Sequence, residues 1–213
     1  MSVKFNQNQL ENLRQSVKSR ISEKRFSHTE GVVKASLEIA KYFPALDKSE
    51  LAAASLLHDV TKELTVAEHC RLAEEHGAPF DDSDIESEAI LHSLSAPYLV
   101  IRDFSNFATE DILSALKNHT TAEAGMSLFD EVIYIADYVE EGRTYPACVR
   151  VRELLFAGLV SAESESEARL ALHIAVLESL KNTINSLLFQ GRIINERTER
   201  AAKYFSSLIN YGE

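Results

Sequence analysis

Leu51-Ala52-Ala53-Ala54-Ser55-Leu56-Leu57-His58-Asp59 is the stretch on which the reading of this chain turns. Its first seven residues carry no charge, so the segment reads as a helix sunk in a core. Asp47 and Glu50 stand ahead of it with the spacing of a capping box. A histidine and an aspartate then leave that core side by side. Adjacent helical residues point ~100° apart, so both can serve one site only if it lies beside the helix, most easily near its end.

Outward from this run the pattern stays helical. Leu10, Leu13, Val17 and Ile21 recur with an amphipathic period. A second helix is expected from near His28 through Val32, Ile39 and Phe43 to Pro44. Thr65 and Glu68 repeat the capping device, and Gly77 closes that helix. The acidic stretch 81–90 reads as beginning in a loop. Pro97 suits the first turn of a new helix, with Ser95 as its N-cap. Thr109 opens a helix ending near His119, residues 120–125 form a loop, and Ser127 and Asp130 cap a helix that ends at Gly142. Helices over about 147–157, 165–190 and 195–209 follow, with a loop at 161–167. No strand pattern, internal repeat or clear linker interrupts the series, so the fold class is all-α.

The 213 residues suit one domain, and 45% hydrophobic against 26% charged content suits a globular core. A net charge of -11 argues against nucleic acid or an acidic membrane as partner. A small anionic substrate would need a local positive patch or metal ions. The two cysteines, Cys70 and Cys148, have no metal or disulfide-scaffold spacing. No apolar run approaches the ~20 residues of a membrane span, and the N-terminus has no apolar signal core. The expected compartment is the cytoplasm.

Of seven histidines, His28, His58, His92 and His119 fall at or near helix ends beside small or polar residues. Asp137 sits within Val132-Ile133-Tyr134-Ile135-Ala136-Asp137-Tyr138-Val139, four residues after Ile133 and on its face. A carboxylate on such a face is costly unless paired or bound to a metal. A lone histidine on a helix is ordinarily hydrogen-bonded or half-exposed, and His69, His76 and His173 are read so, as solvent-facing or core-edge residues. The other positions taken together ask for more. Histidine and aspartate without cysteine suit a hydrolytic centre of iron, manganese or zinc. Four histidines and two aspartates exceed the needs of one ion. Two ions ~3.5–4 Å apart, sharing a carboxylate, would use them all.

The order His28, His58-Asp59, His92, His119, Asp137 resembles the H…HD…H…H…D pattern of binuclear HD-domain phosphohydrolases. The surrounding words are similar to one branch, the YqeK family of symmetrical diadenosine-tetraphosphate hydrolases. They are Arg25-Phe26-Ser27-His28-Thr29, Leu56-Leu57-His58-Asp59-Val60-Thr61-Lys62, Asn118-His119-Thr120-Thr121-Ala122-Glu123-Ala124-Gly125-Met126-Ser127 and, most specific, Ile133-Tyr134-Ile135-Ala136-Asp137-Tyr138-Val139-Glu140-Glu141-Gly142-Arg143. The resemblance covers about residues 25–205. It implies an HD-type helical bundle with additional C-terminal helices, a single domain over 1–213, and cleavage of diadenosine tetraphosphate into two ADP.

It also implies two divalent or trivalent transition-metal ions, iron before manganese or zinc. His28, His58, Asp59 and Asp137 would hold one ion, His92 and His119 the other, and Asp59 would bridge. Arg25, Lys62 and Arg143 match positive positions near the phosphates, with Asp59 and Lys62 as the catalytic pair. Thr120, Thr121 and Gly125, with His119, match the loop beside the substrate. A homodimer is compatible with the family. One departure is His92-Ser93-Leu94-Ser95-Ala96-Pro97, where family members carry glycine and small residues; it bears on substrate choice more than on metal binding. The competing readings are another HD-domain nucleotide phosphatase or phosphodiesterase, which would share these ligands, and a non-catalytic nucleotide-binding HD module.

Overall fold

The computed structural model describes residues 4–210. The helices are α1 (Gln7–Lys18), α2 (Glu23–Ile39), α3 (Lys48–Leu57), α4 (Val66–Glu75), α5 (Asp82–Glu86), α6 (Glu88–Asp103), α7 (Glu110–Asn118), α8 (Leu128–Val139), α9 (Pro146–Ser161), α10 (Glu165–Phe189) and α11 (Glu196–Asn210). No strand occurs among the described residues, in line with the all-α expectation.

The uncharged run forms α3, and every residue from Ser49 to Leu57 is buried. It is packed by α1, α2, α7 and α8. The polar Ser55 is accommodated because its hydroxyl pairs with that of Ser36 at 2.8 Å. Asp47 caps α3 by accepting from the N–H groups of Ser49 and Glu50. The reciprocal half of the expected capping box does not form. Glu50 instead accepts from Lys4 Nζ at 2.7 Å and from Thr109 Oγ1 at 2.5 Å, tying the N-terminal segment and the start of α7 to the core helix.

The reading of Ser95 and Pro97 as a helix start is corrected. Pro97 lies inside α6, although an internal proline removes a backbone hydrogen bond at a cost of ~3 kcal/mol. Leu91, Ala96 and Val100 are all fully buried and carry the helix through it. His92 is therefore seated in the second turn of a rigid helix. The other differences are local: α2 starts earlier than expected, at Glu23, and ends at Ile39, and α9 runs on to Ser161, which shortens the loop before α10. A short helix, α5, occupies part of the acidic stretch read as loop. α8 stops at Val139, before Gly142, because Glu140 leaves the helical conformation and accepts the Gly142 N–H at 2.5 Å. The C-terminal helices build outward: α10 packs on α8, α9 and α11.

Candidate metal centre

Five helices deliver the polar residues to one place. α2 supplies His28, the end of α3 supplies His58 and Asp59, α6 supplies His92, the end of α7 supplies His119 and α8 supplies Asp137. His58 and His119 are the C-cap residues of their helices. Carbonyls at a helix C-terminus lack intrahelical partners, and both rings use them. His58 Nδ1 donates to Ser55 O at 2.7 Å, and His119 Nδ1 donates to Leu116 O at 2.8 Å. His28 Nδ1 faces Glu140 Oε1 at 3.1 Å. In each ring Nε2 is thereby turned inward.

The inward atoms form two groups, His28, His58 and Asp137, and Asp59, His92 and His119; within each, the ligand atoms lie within 4.8 Å of one another. Asp59 faces both. Its Oδ2 is 3.4 Å from His58 Nε2 and 3.7 Å from His28 Nε2, while its Oδ1 is 3.4 Å from His92 Nε2 and 3.8 Å from His119 Nε2. The Nε2 atoms of His28 and His58 are 3.4 Å apart. With both Nδ1 atoms turned to outer acceptors, the two Nε2 atoms face each other across a gap that a cation between them would fill. The donor set of imidazole nitrogens and carboxylate oxygens fits transition-metal binding.

Electrostatics point the same way. Burial pushes the Asp59 carboxyl upward, but the surrounding imidazoles, His58 first and then His119 and His92, hold it well below the usual carboxylate range. Burial opposes ionisation of Asp137 too, and is outweighed by the Arg143 guanidinium and a hydrogen bond from His28. His92 is driven well below the ordinary histidine value by burial, then by His119 and Lys62, so it is an unprotonated ring able to ligate.

Around this centre, Arg25 Nη1 lies 2.8 Å from Asp59 Oδ2 and Arg143 Nη2 lies 2.6 Å from Asp137 Oδ1. Lys62 Nζ is 3.1 Å from both ring nitrogens of His92, and burial lowers its pKa. Lys62 gets there although α3 ends at Leu57; the turn that follows, not a continued helix, brings it round. Thr120 Oγ1 is 3.0 Å from His92 Nε2. Thr121 instead donates its hydroxyl to Ala122 O, and Gly125 turns the same loop at φ 75°; these two shape the loop without bonding either triad among the described contacts.

Glu140 is a member of the site that the sequence reading passed over. It is 4% exposed and holds His28. Gly31 makes room for it, since a Cβ there would fall 2.4 Å from Glu140 Oε2. His69, read as a solvent-facing or core-edge residue, is buried and bonds Ser95 Oγ at 2.7 Å, and it belongs to neither triad.

Residues 25–142 match the HD domain family, and all six convergent residues lie inside that span. The chain belongs to the HD-domain family. It is 33% identical over 172 residues, 81% of this chain and 84% of the relative, to "Bis(5'-nucleosyl)-tetraphosphatase, symmetrical" of Bacillus subtilis (strain 168). The protein of that name from Halalkalibacterium halodurans is 32% identical over 180 residues, covering 84% of this chain and 88% of its own. Among solved structures, a predicted HD superfamily hydrolase involved in NAD metabolism from Clostridium acetobutylicum superposes with a TM-score of 0.79 at 28% identity, over 92% of this chain and 96% of that one. The HD match ends just after α8, so α9, α10 and α11 are additions to the HD domain proper.

Proposed function

We propose that this HD domain hydrolyses diadenosine tetraphosphate symmetrically, giving two ADP, with two transition-metal ions at the paired triads. The observation that carries the reading is the divided carboxylate of Asp59, one oxygen toward each triad. His28, His58 and Asp137 would hold one ion and His92 and His119 the other, with Asp59 shared. Iron is the first choice of metal, with manganese and zinc compatible with the same donors. Bound there, the ions supply Lewis-acid stabilisation of phosphoryl charge and lower the pKa of water.

The chain's own residues supply the rest. Three cations, Arg25, Lys62 and Arg143, ring the two aspartates. They give an acidic protein a local positive site for a polyphosphate, and positioning with charge stabilisation is most of what phosphoryl transfer requires. Arg25 and Arg143 are part-exposed at the mouth, suited to gripping the two phosphates of one nucleoside half. Lys62, deeper and aimed at His92, is suited to the phosphoryl oxygens next to the bond that breaks. A grip on one diphosphate puts the second phosphorus from the nucleoside at the centre, and the leaving group is the other diphosphate. The related proteins named symmetrical bis(5'-nucleosyl)-tetraphosphatase support this choice of substrate. The free cysteines Cys70 and Cys148 suit a reducing compartment, and we place the enzyme in the cytoplasm.

Chromatography of products from a nucleotide panel, using metal-loaded protein, tests the assignment. ADP as sole product from diadenosine tetraphosphate is expected. Release of orthophosphate from mononucleotides, with the dinucleotide untouched, would overturn it.

A further inference from the structure

The loop that follows His119 is held from outside the HD match. Arg197, in the first turn of α11, donates from Nη2 to Asn118 Oδ1 at 2.6 Å and from Nε to Glu123 Oε2 at 2.9 Å. Asn118 directly precedes His119, and Glu123 lies four residues beyond it. Thr198, 4% exposed, donates its hydroxyl to Thr121 O at 3.1 Å. Between these anchors Ala122 is fully buried with φ at 56°, a left-handed conformation that a residue with a Cβ adopts only when its surroundings impose it. Asn118 passes the restraint on, donating to Asp130 Oδ2 at 3.2 Å on α8. α11 is itself seated by Ala201 and Phe205, both fully buried.

We infer that Arg197, assisted by Thr198, is a positioning residue for the second triad. It fixes the strained 119–123 loop so that His119 Nε2 stays 3.1 Å from His92 Nε2 and Thr120 stays against His92. The inference rests on reading Asp59, His92 and His119 as metal ligands. Among the described residues no α11 side chain bonds the first triad, so loss of the restraint acts on one triad and spares the other. Outer partners that orient metal ligands characteristically change metal affinity ~10–100-fold when removed.

The test is calorimetric titration of chelator-stripped protein with cobalt(II), the two binding events being assigned from a His28→Ala variant that lacks the first. Wild type should take two ions. Arg197→Ala should bind the first ion as wild type does and the second ~10–100-fold more weakly. Arg197→Lys should recover part of that loss, because its amine still reaches one acceptor. Thr198→Val, nearly isosteric, should shift the second event in the same direction and serves if Arg197→Ala does not fold. Phe205→Leu, a purely structural change in α11, should lower Tm and leave both events in place. Unchanged second-site affinity in Arg197→Ala, or in Thr198→Val where only that variant folds, overturns the inference; so does equal weakening of both events, or a wild type that takes a single ion. Turnover of diadenosine tetraphosphate is read separately: two-ion binding without ADP release would remove the proposed function and leave the role of Arg197 standing.

Discussion

Arg143 Nη2 stands 2.6 Å from Asp137 Oδ1, so a guanidinium at the mouth already grips a carboxylate of the first triad. Were Asp137 to hold a metal ion, its charge would be shared with that ion, and the Arg143 guanidinium would be free to meet phosphate. Arg143→Ala should therefore raise KM for a dinucleotide while bound metal stays as in wild type. A charge-assisted hydrogen bond is worth ~1.5–3 kcal/mol, about 10- to 100-fold in KM. Metal loss with KM unaltered would show that Arg143 serves the centre itself.

Asp59 occupies the opposite role. Its two oxygens address different triads, so Asp59→Ala should lose metal and activity together, each by more than about a hundredfold. Elemental analysis alongside turnover checks this. A folded Asp59→Ala variant with normal metal content and rate is incompatible with a bridging carboxylate.

Gly31 gives a test of Glu140 without touching a ligand. A methyl group at Gly31 would lie 2.4 Å from Glu140 Oε2 and 3.1 Å from its Cδ, forcing the carboxylate off His28 Nδ1. Gly31→Ala should weaken metal binding at the first triad ~10–100-fold, and Glu140→Ala should match it. Full first-site affinity in both variants would leave Glu140 as a simple helix cap.

A pH-dependent contribution to stability is expected away from the site. Arg102 first, and Arg20 after it, pull the Asp103 carboxyl down to about 2 from the usual 3.8, against the effect of partial burial. The folded value is the lower one, so this stabilisation is fully present above the unfolded pKa and is lost as pH falls through about 2. Because the arginines are substantially solvated, the contribution is on the order of 1 kcal/mol. Urea unfolding of Asp103→Asn against wild type should show that deficit at neutral pH, shrinking below pH ~4. A deficit that grows with acid would reverse the sign.

The reach of the sequence follows from what kind of signal each residue leaves. His58, Asp59 and Asp137 are polar interruptions of apolar helices, and such breaks are visible without a partner in view. His28, His92 and His119 join them through position near helix ends and through the resemblance. Pro97 misled because the local rule for proline is strong, whereas the burial of Leu91, Ala96 and Val100 that overrides it is a tertiary fact. Glu140 stands in an acidic pair with no local feature to single it out, and its partner His28 is 112 positions away. The Arg197 contacts to Asn118 and Glu123 likewise span 79 and 74 positions. No periodicity encodes such pairings.

The central claim is symmetrical attack on a dinucleoside tetraphosphate, and hydrolysis of diadenosine tetraphosphate in oxygen-18 water measures it most directly. With one nucleoside half gripped as a diphosphate, mass spectrometry should find ADP alone, one of the two molecules from each turnover carrying a single label. AMP with ATP, or label in free phosphate, would contradict the account.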